Sequence, residues 1–303
     1  MKKLLAWLLA LIIGSVSFIG ANFVIAAPTD SNCNIATLEM KLTDGVVSYN
    51  KVGKGRPILL LHGLFADKEQ WNSIACQLYQ AGYQAIAPDL PGYGSSKNFP
   101  VQDYALENQT KLLHELTTKL GIQKVDLAGS SMGGAIAHLY SQQYPQQVHS
   151  IAFIGSPLGV IDWSNSLKAA IIEGINPFIP ITDQQFNLEM SLLFVKPPQI
   201  PAPIKQAKVA DYLKNNRNYQ QTWDIVNLYD HLLAQPITHT FPTLIFWGEA
   251  DKIYDISGAE ILKHHFPNSE LLKLPQAGHL LLIENAEQAA SIYLKFLKDL
   301  PTY

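Results

Sequence analysis

The chain has 303 residues, 48% hydrophobic and 16% charged, which excludes a disordered polymer poor in apolar residues and rich in charge. Its 22 Lys+Arg against 25 Asp+Glu leave a net charge of −3, Arg56 and Arg217 are the sole arginines, and no basic block occurs, so no nucleic-acid partner is expected. The length suits one large domain or one domain carrying an insertion.

The first 27 residues read as a targeting segment. Lys2 and Lys3 precede LLAWLLALII, and small and apolar residues continue to Ala27 before Pro28. The stretch from Leu4 to Ala27 carries no charge and as a helix would be about 36 Å long at 1.5 Å per residue, enough to cross a bilayer. The segment is therefore either a cleaved leader or a retained anchor associating with the membrane through residues 4–27. Either way Lys2 and Lys3 hold the N-terminus inside, and the remainder is expected outside the cytoplasm: periplasmic, secreted or membrane-anchored. Cys33 and Cys76 are too few for a disulfide framework, and no CxxC metal pair exists. They are expected as one free tail thiol and one buried helix thiol, with a disulfide between them as the alternative outside the cytoplasm.

Beyond Cys33, strands and helices alternate. Val46–Tyr49 reads as an early strand, and Pro57–Leu61 is a continuous apolar run of the kind buried on both faces. Glu69–Gln80 has helical spacing of Trp71, Ile74 and Leu78. Tyr83–Ala87 is a strand stopped by Pro88, and Tyr104–Leu120 a helix closed by Gly121. Lys124–Ala128 is a strand, Met132–Tyr144 a helix ended by Pro145, and Val148–Ile154 a strand. From about 156 to 240 eight prolines and short helical pieces break the rhythm. It resumes with strands at Thr243–Trp247 and Glu270–Leu274 and helices at Ser257–His265 and Glu284–Leu300. Such alternation predicts an α/β fold, a parallel sheet with helices on both faces.

Gly129-Ser130-Ser131-Met132-Gly133 is a G-x-S-x-G motif centred on Ser131, between a predicted strand and a predicted helix. The tight turn presents the Ser131 hydroxyl at a helix N-terminus, where the dipole favours negative charge. Ser130 lacks this framing, with Ala128 and Met132 two residues to either side. A neutral hydroxyl is a weak nucleophile and needs a base, which in turn needs an orienting acid. In this topology both follow downstream, acid first. Asp251 leaves the strand at 243–247 and His279 the strand at 270–274, both at carboxyl ends of parallel strands, where sites of open α/β sheets form. Glu249, Asp255 and Asp162 are rival acids. His264 and His265 read as a solvated helix end, His62 as a structural loop residue, and His114, His138, His149, His231 and His239 lack zinc spacing. Backbone N–H groups of Met132 and of Leu64, in the loop after 57–61, are the candidate oxyanion donors.

With His62-Gly63, PDLPGYGSS at 88–96, GSSMGG at 129–134, Gly248-Glu249-Ala250-Asp251-Lys252 and Gly278-His279 in hand, the chain resembles the α/β-hydrolases. HGLFADKEQW and SSMGGAIAHLYSQQYP are similar to bacterial family V lipases and membrane-anchored monoacylglycerol lipases. The resemblance implies a sheet of about eight strands and a helical cap after the sixth, here about 157–238, between core segments 28–156 and 239–303. It also implies that Ser131, Asp251 and His279 are catalytic, that Leu64 and Met132 hold the oxyanion, and that Asp89 belongs to a structural turn. Ser131 argues against haloalkane dehalogenase and epoxide hydrolase chemistry, which needs Asp at the elbow. Ala286 stands where relatives often have Pro, which bears only on the start of the last helix.

The apolar runs 175–181 and 188–195 either pack on the core or form an acyl pocket or lid. No Arg cluster is present to hold an anionic substrate, which leans toward neutral esters. The expected activity is a serine ester hydrolase acting on a small-molecule or lipid ester, without metal or organic cofactor. A C–C hydrolase, thioesterase or acyltransferase with the same triad, and a non-catalytic binder of this fold, are the alternatives.

Overall fold

The computed structural model of the protein describes residues 33–96, 98–157, 162–227 and 241–301. The leader or anchor expected at 1–27, and His231 and His239, lie outside the described residues. No helix among the described residues is long and apolar enough to cross a membrane.

Eight strands form one sheet: β1 (Ala36–Lys41), β2 (Val46–Val52), β3 (Pro57–Leu61), β4 (Gln84–Pro88), β5 (Val125–Ser130), β6 (Val148–Ile154), β7 (Thr243–Gly248) and β8 (Ser269–Leu274). Their order is β1-β2-β4-β3-β5-β6-β7-β8. The β1/β2 and β2/β4 pairs are antiparallel and every other pair is parallel. Strand β1 has no counterpart among the strands read from the sequence. Its side chains are almost all exposed, so no hydrophobic alternation marked it.

The described helices are α1 (Asn72–Gln80), α2 (Leu106–Lys119), α3 (Met132–Gln143), α4 (Asn165–Ile172), α5 (Asp183–Leu193), α6 (Ala202–Lys214), α7 (Asn216–Asn227), α8 (Ser257–His265), α9 (Leu281–Glu284) and α10 (Ala286–Asp299). Three expected helices are interrupted. The 69–80 helix opens with a 3-10 turn, Lys68–Trp71, where the Asp67 carboxylate accepts the Glu69 N–H. The 104–120 helix breaks at Ala105, which is extended with φ −63° and ψ 136°. The last helix is divided by Asn285, with φ −129° and ψ 38°.

Alternation along the central strands sorts two cores. Leu59, Leu61, Leu127, Phe153, Ile245 and Trp247 point to the face covered by α2, α3 and α8. Ile58, Leu60, Ala128, Ala152, Leu244 and Phe246 point to the face covered by α1 and α10. The centre of the sheet is thus apolar on both sides, which is why β3 reads as an unbroken apolar run.

Cys33 and Cys76 are not free thiols. They are joined in a disulfide with Cα atoms 5.5 Å apart. Cys33 and Ile35 lie against the core under α1, so the segment leading into β1 brings one thiol to the other. The described part of the insertion between β6 and β7 consists of α4–α7. It carries a small core of its own, in which Leu167 and Leu192 meet Ile253 from the loop after β7.

Candidate active site

Ser131 joins β5 to α3 with φ 51° and ψ −119°. A non-glycine residue there is strained by roughly 1–3 kcal/mol and must be held by its surroundings. The Ser131 N–H donates to the Ile154 carbonyl at 2.9 Å, and the Ser131 carbonyl accepts the Gly134 N–H at 3.0 Å. The two framing glycines are required by close approach. A Cβ on Gly129 would lie 2.3 Å from the Gly133 carbonyl, and one on Gly133 would lie 2.2 Å from Leu61 O.

The loop after β3 runs beside the elbow: a Cβ on Gly63 would stand 3.4 Å from Ser131 Cβ. Two buried side chains pin this loop. His62 Nε2 accepts the Leu90 N–H at 3.0 Å, so its other nitrogen carries the proton and donates to Gly63 O at 2.8 Å. Desolvation lowers the His62 pKa, which keeps it a neutral brace, the structural role its position suggested. Gln70 accepts the Gly63 N–H at 3.0 Å and donates to Ser130 Oγ at 3.4 Å, tying the loop to the nucleophile strand. Gln70 was not singled out from the sequence, where nothing separates it from a solvated helix glutamine. Leu64 and Ser131 line the same cavity. Met132 is the first residue of α3, so its N–H has no intrahelical acceptor.

Asp251 and His279 stand on the loops leaving β7 and β8. Asp251 Oδ1 accepts the N–H groups of Ile253 at 2.8 Å and Tyr254 at 3.1 Å. Its other oxygen accepts from His279 Nδ1 at 2.9 Å, with both side chains buried. That bond leaves Nε2 of His279 as the basic nitrogen. The rival acids are occupied elsewhere. Asp255 accepts the Ser257 N–H at the start of α8, and these Ser257 bonds hold its carboxyl low. Asp162 pairs with Lys168 at the surface, and Glu249 is exposed. Asp89, in the PDLPGYGSS turn, holds the Lys68 ammonium at 2.8 Å and the Ser95 N–H at 2.7 Å.

A carboxylate with no forecast role fastens the insertion to the histidine loop. Glu284 Oε1 accepts the N–H groups of Val195 at 2.8 Å and Lys196 at 3.0 Å, while its Oε2 accepts the Gly278 N–H at 2.9 Å. The Leu280 N–H adds a bond to Leu193 O at 3.1 Å. Only the folded chain brings these segments together, so no local pattern announces the clamp.

Ser131 and His279 both line a cavity of about 160 Å³. Its walls are mostly apolar, with Phe178, Phe186, Met190, Phe194 and Ile204 contributed by the insertion. The two apolar runs at 175–181 and 188–195 thus do more than pack on the core. Glu189, Lys208 and Tyr212 interrupt this apolar lining. Among the described residues no group of three or more His, Cys, Asp or Glu is arranged to hold a metal ion. His264 is exposed at the end of α8, and His138 packs edge-on to Phe153 and Phe266 in the core.

Known proteins are similar to this chain in sequence and fold. Lipase 1 of Psychrobacter immobilis is 31% identical over 278 residues, covering 88% of this chain and 84% of its own. Monoacylglycerol lipase ABHD6 of Bos taurus is 28% identical, covering 80% and 77%. A crystal structure of a membrane phospholipase A, described as a bacterial virulence factor, superposes with a TM-score of 0.78 at 26% identity, covering 87% of this chain and 86% of that one. A meta-cleavage product hydrolase at 18% identity and a 2-hydroxy-6-oxo-6-phenylhexa-2,4-dienoate hydrolase at 19% share the fold alone. The alpha/beta hydrolase fold family matches residues 56–178 and 184–286, and the chain belongs to that family.

Proposed function

We propose that this α/β hydrolase cleaves carboxylic esters through an acyl-enzyme on Ser131, with His279 as base and Asp251 as its orienting acid. The observation that carries this reading is that His279, paired through its buried ring with Asp251, and the strained Ser131 line one mostly apolar cavity. Ser131 Oγ attacks the ester carbonyl carbon while His279 Nε2 takes its proton. The negative charge on the carbonyl oxygen is met by the N–H groups of Leu64 and Met132, each worth about 3–4 kcal/mol. The C–O bond then breaks, and His279 returns the proton to the departing alcohol. A water molecule, deprotonated by the same imidazole, attacks the acyl carbon, the bond to Ser131 Oγ breaks, His279 returns the proton to that oxygen, and the acid is released. Asp251 holds the tautomer that makes this relay work. The cycle consumes one water and calls for no metal or organic cofactor.

The substrate is a lipid ester. The apolar cavity supports this, as do the names of the relatives, lipases and monoacylglycerol lipases. The segment 157–238 serves as a cap, since α5 and α6 supply much of the cavity wall. The catalytic domain works outside the cytoplasm, released or tethered by its N-terminal segment. The Cys33–Cys76 disulfide supports that location, because such bonds persist in oxidising compartments.

The test is covalent labelling by a fluorophosphonate and turnover of a p-nitrophenyl ester, in the wild type and in Ser131→Ala. Labelling is expected to vanish and turnover to fall about a thousandfold or more, with thermal unfolding little changed. Unchanged turnover in Ser131→Ala would overturn the assignment.

A further inference from the structure

Phe65, in the loop that carries Leu64, is strained as Ser131 is. The Ala66 N–H donates to the Gly63 carbonyl at 3.2 Å, so Gly63-Leu64-Phe65-Ala66 is a tight turn, and Phe65 stands at its third position with φ 56°. That left-handed position favours glycine or asparagine, and a bulky side chain there is an outlier. Relaxing Phe65 to negative φ would change the turn type by rotating the peptide between Leu64 and Phe65 through about 180°. That peptide adjoins Leu64, whose N–H is the oxyanion donor proposed above.

Strain of this kind persists only where the surroundings hold it. His62 and Gln70 fix Gly63, the first residue of the turn. The Phe65 side chain is half-buried, lines the substrate cavity and meets the Tyr219 ring edge-on, with centroids 5.1 Å apart and planes at 86°. Aromatic pairs in this geometry attract beyond the area they bury. Tyr219 belongs to α7, in the insertion, and is itself anchored on α6. Its hydroxyl donates to Asp211 at 2.6 Å, and its ring stands 4.7 Å from that of Tyr212. The Asp211 carboxylate in turn accepts from the Asn215 side chain at 2.8 Å. The insertion thus grips the one side chain of the turn whose backbone is strained.

We propose that Tyr219 is a positioning residue for the oxyanion hole: its ring keeps Phe65 in the left-handed conformation and so keeps the Leu64 N–H aimed at the carbonyl oxygen of the substrate. The inference rests on the roles of Ser131 and Leu64 proposed above and adds to them a dependence of the chemical step on the insertion. Tyr219 acts through Phe65, not on the substrate. A donor aligned in advance with the developing charge acts on the transition state more than on the ground state. Its misalignment therefore lowers kcat and leaves KM nearly as it was.

The experiment measures kcat and KM for a p-nitrophenyl ester in two variants that empty nearly the same space. Phe65→Ala removes the ring and still needs the strained backbone, whereas Phe65→Gly removes the ring and adopts positive φ freely. We expect kcat to be at least fivefold higher in Phe65→Gly than in Phe65→Ala, with KM alike. Tyr219→Ala is expected to lower kcat about tenfold with KM within about twofold, and Tyr219→Phe, which keeps the ring, to retain at least about half of the wild-type kcat. In the Phe65→Gly background, Tyr219→Ala is expected to cost less than about twofold. A kcat in Phe65→Gly no higher than in Phe65→Ala, or the same loss from Tyr219→Ala in both backgrounds, would overturn the positioning role. The Phe65 pair decides by itself if Tyr219→Ala does not fold. Fluorophosphonate labelling of the wild type separates the two levels: labelling with equal kcat in the Phe65 pair removes this role and leaves the ester chemistry, while absence of labelling and of turnover removes both.

Discussion

Asp251 and His279 are 28 residues apart in the chain and joined by a 2.9 Å hydrogen bond between two loops that leave neighbouring strands. The same carboxylate is held from behind by two backbone N–H groups, so its position does not depend on the imidazole. Asp251→Asn preserves the shape while placing an amide where Nδ1–H needs an acceptor, which favours the wrong tautomer. We expect kcat on a p-nitrophenyl ester to fall on the order of 10³–10⁴-fold, with KM changed little. Retention of more than a tenth of the activity would show that another carboxylate orients the base.

Glu284 receives three N–H donors from two segments, one of them next to His279. In Glu284→Gln the amide NH₂ must face a donor on one side or the other, a loss of about 1–3 kcal/mol of stability. The insertion and the histidine loop are expected to loosen together, lowering kcat about tenfold while KM moves less. A lowered melting temperature with kcat untouched would confine Glu284 to stability.

The Cys33–Cys76 bond closes a loop with a sequence separation of 43. Loop-entropy arithmetic gives about 4 kcal/mol for a closure of this size. Thiol reductant, or Cys33→Ser with Cys76→Ser, is therefore expected to lower the melting temperature by several degrees. The bond lies on the α1 side of the sheet, away from the elbow face, so turnover at 25 °C should survive. Calorimetry with and without reductant checks the first point and an ester assay the second.

Burial pushes the Glu189 carboxyl up from its ordinary 4.5 to about 8, against the pull of the Lys208 ammonium and the Tyr212 hydroxyl. The folded value lies above the unfolded one, so the folded chain holds this proton more tightly. The stability this contributes is complete below about 4.5 and is lost as pH rises to about 8, at most about 1.4 kcal/mol per pH unit. Unfolding curves across that window should therefore slope downward more steeply for the wild type than for Glu189→Gln. Parallel curves for the two proteins would mean that the carboxyl is ionised throughout.

Much of this protein was written locally. The unbroken apolar run at 57–61, and the apolar residues 151–154 and 244–247 within the strands read at 148–154 and 243–247, announced buried parallel strands, because a strand covered on both faces calls for apolar residues on both. G-x-S-x-G could be read as an elbow because close packing permits nothing larger than glycine on either side of Ser131. The positions of Asp251 and His279 after strands followed from the same alternation. Exposed β1 carried no such pattern, and the breaks at Ala105 and Asn285 interrupt stretches whose apolar spacing is continuous.

Tertiary structure alone decided the contacts between distant segments. The pairing of Cys33 with Cys76, the Gln70 brace, the Glu284 clamp and the gathering of Glu189, Lys208 and Tyr212 at the substrate cavity each depend on which surfaces the sheet brings face to face. A polar residue in a helical segment has the same local signature whether it meets water or a partner. The difference arises only from burial, which the whole fold determines.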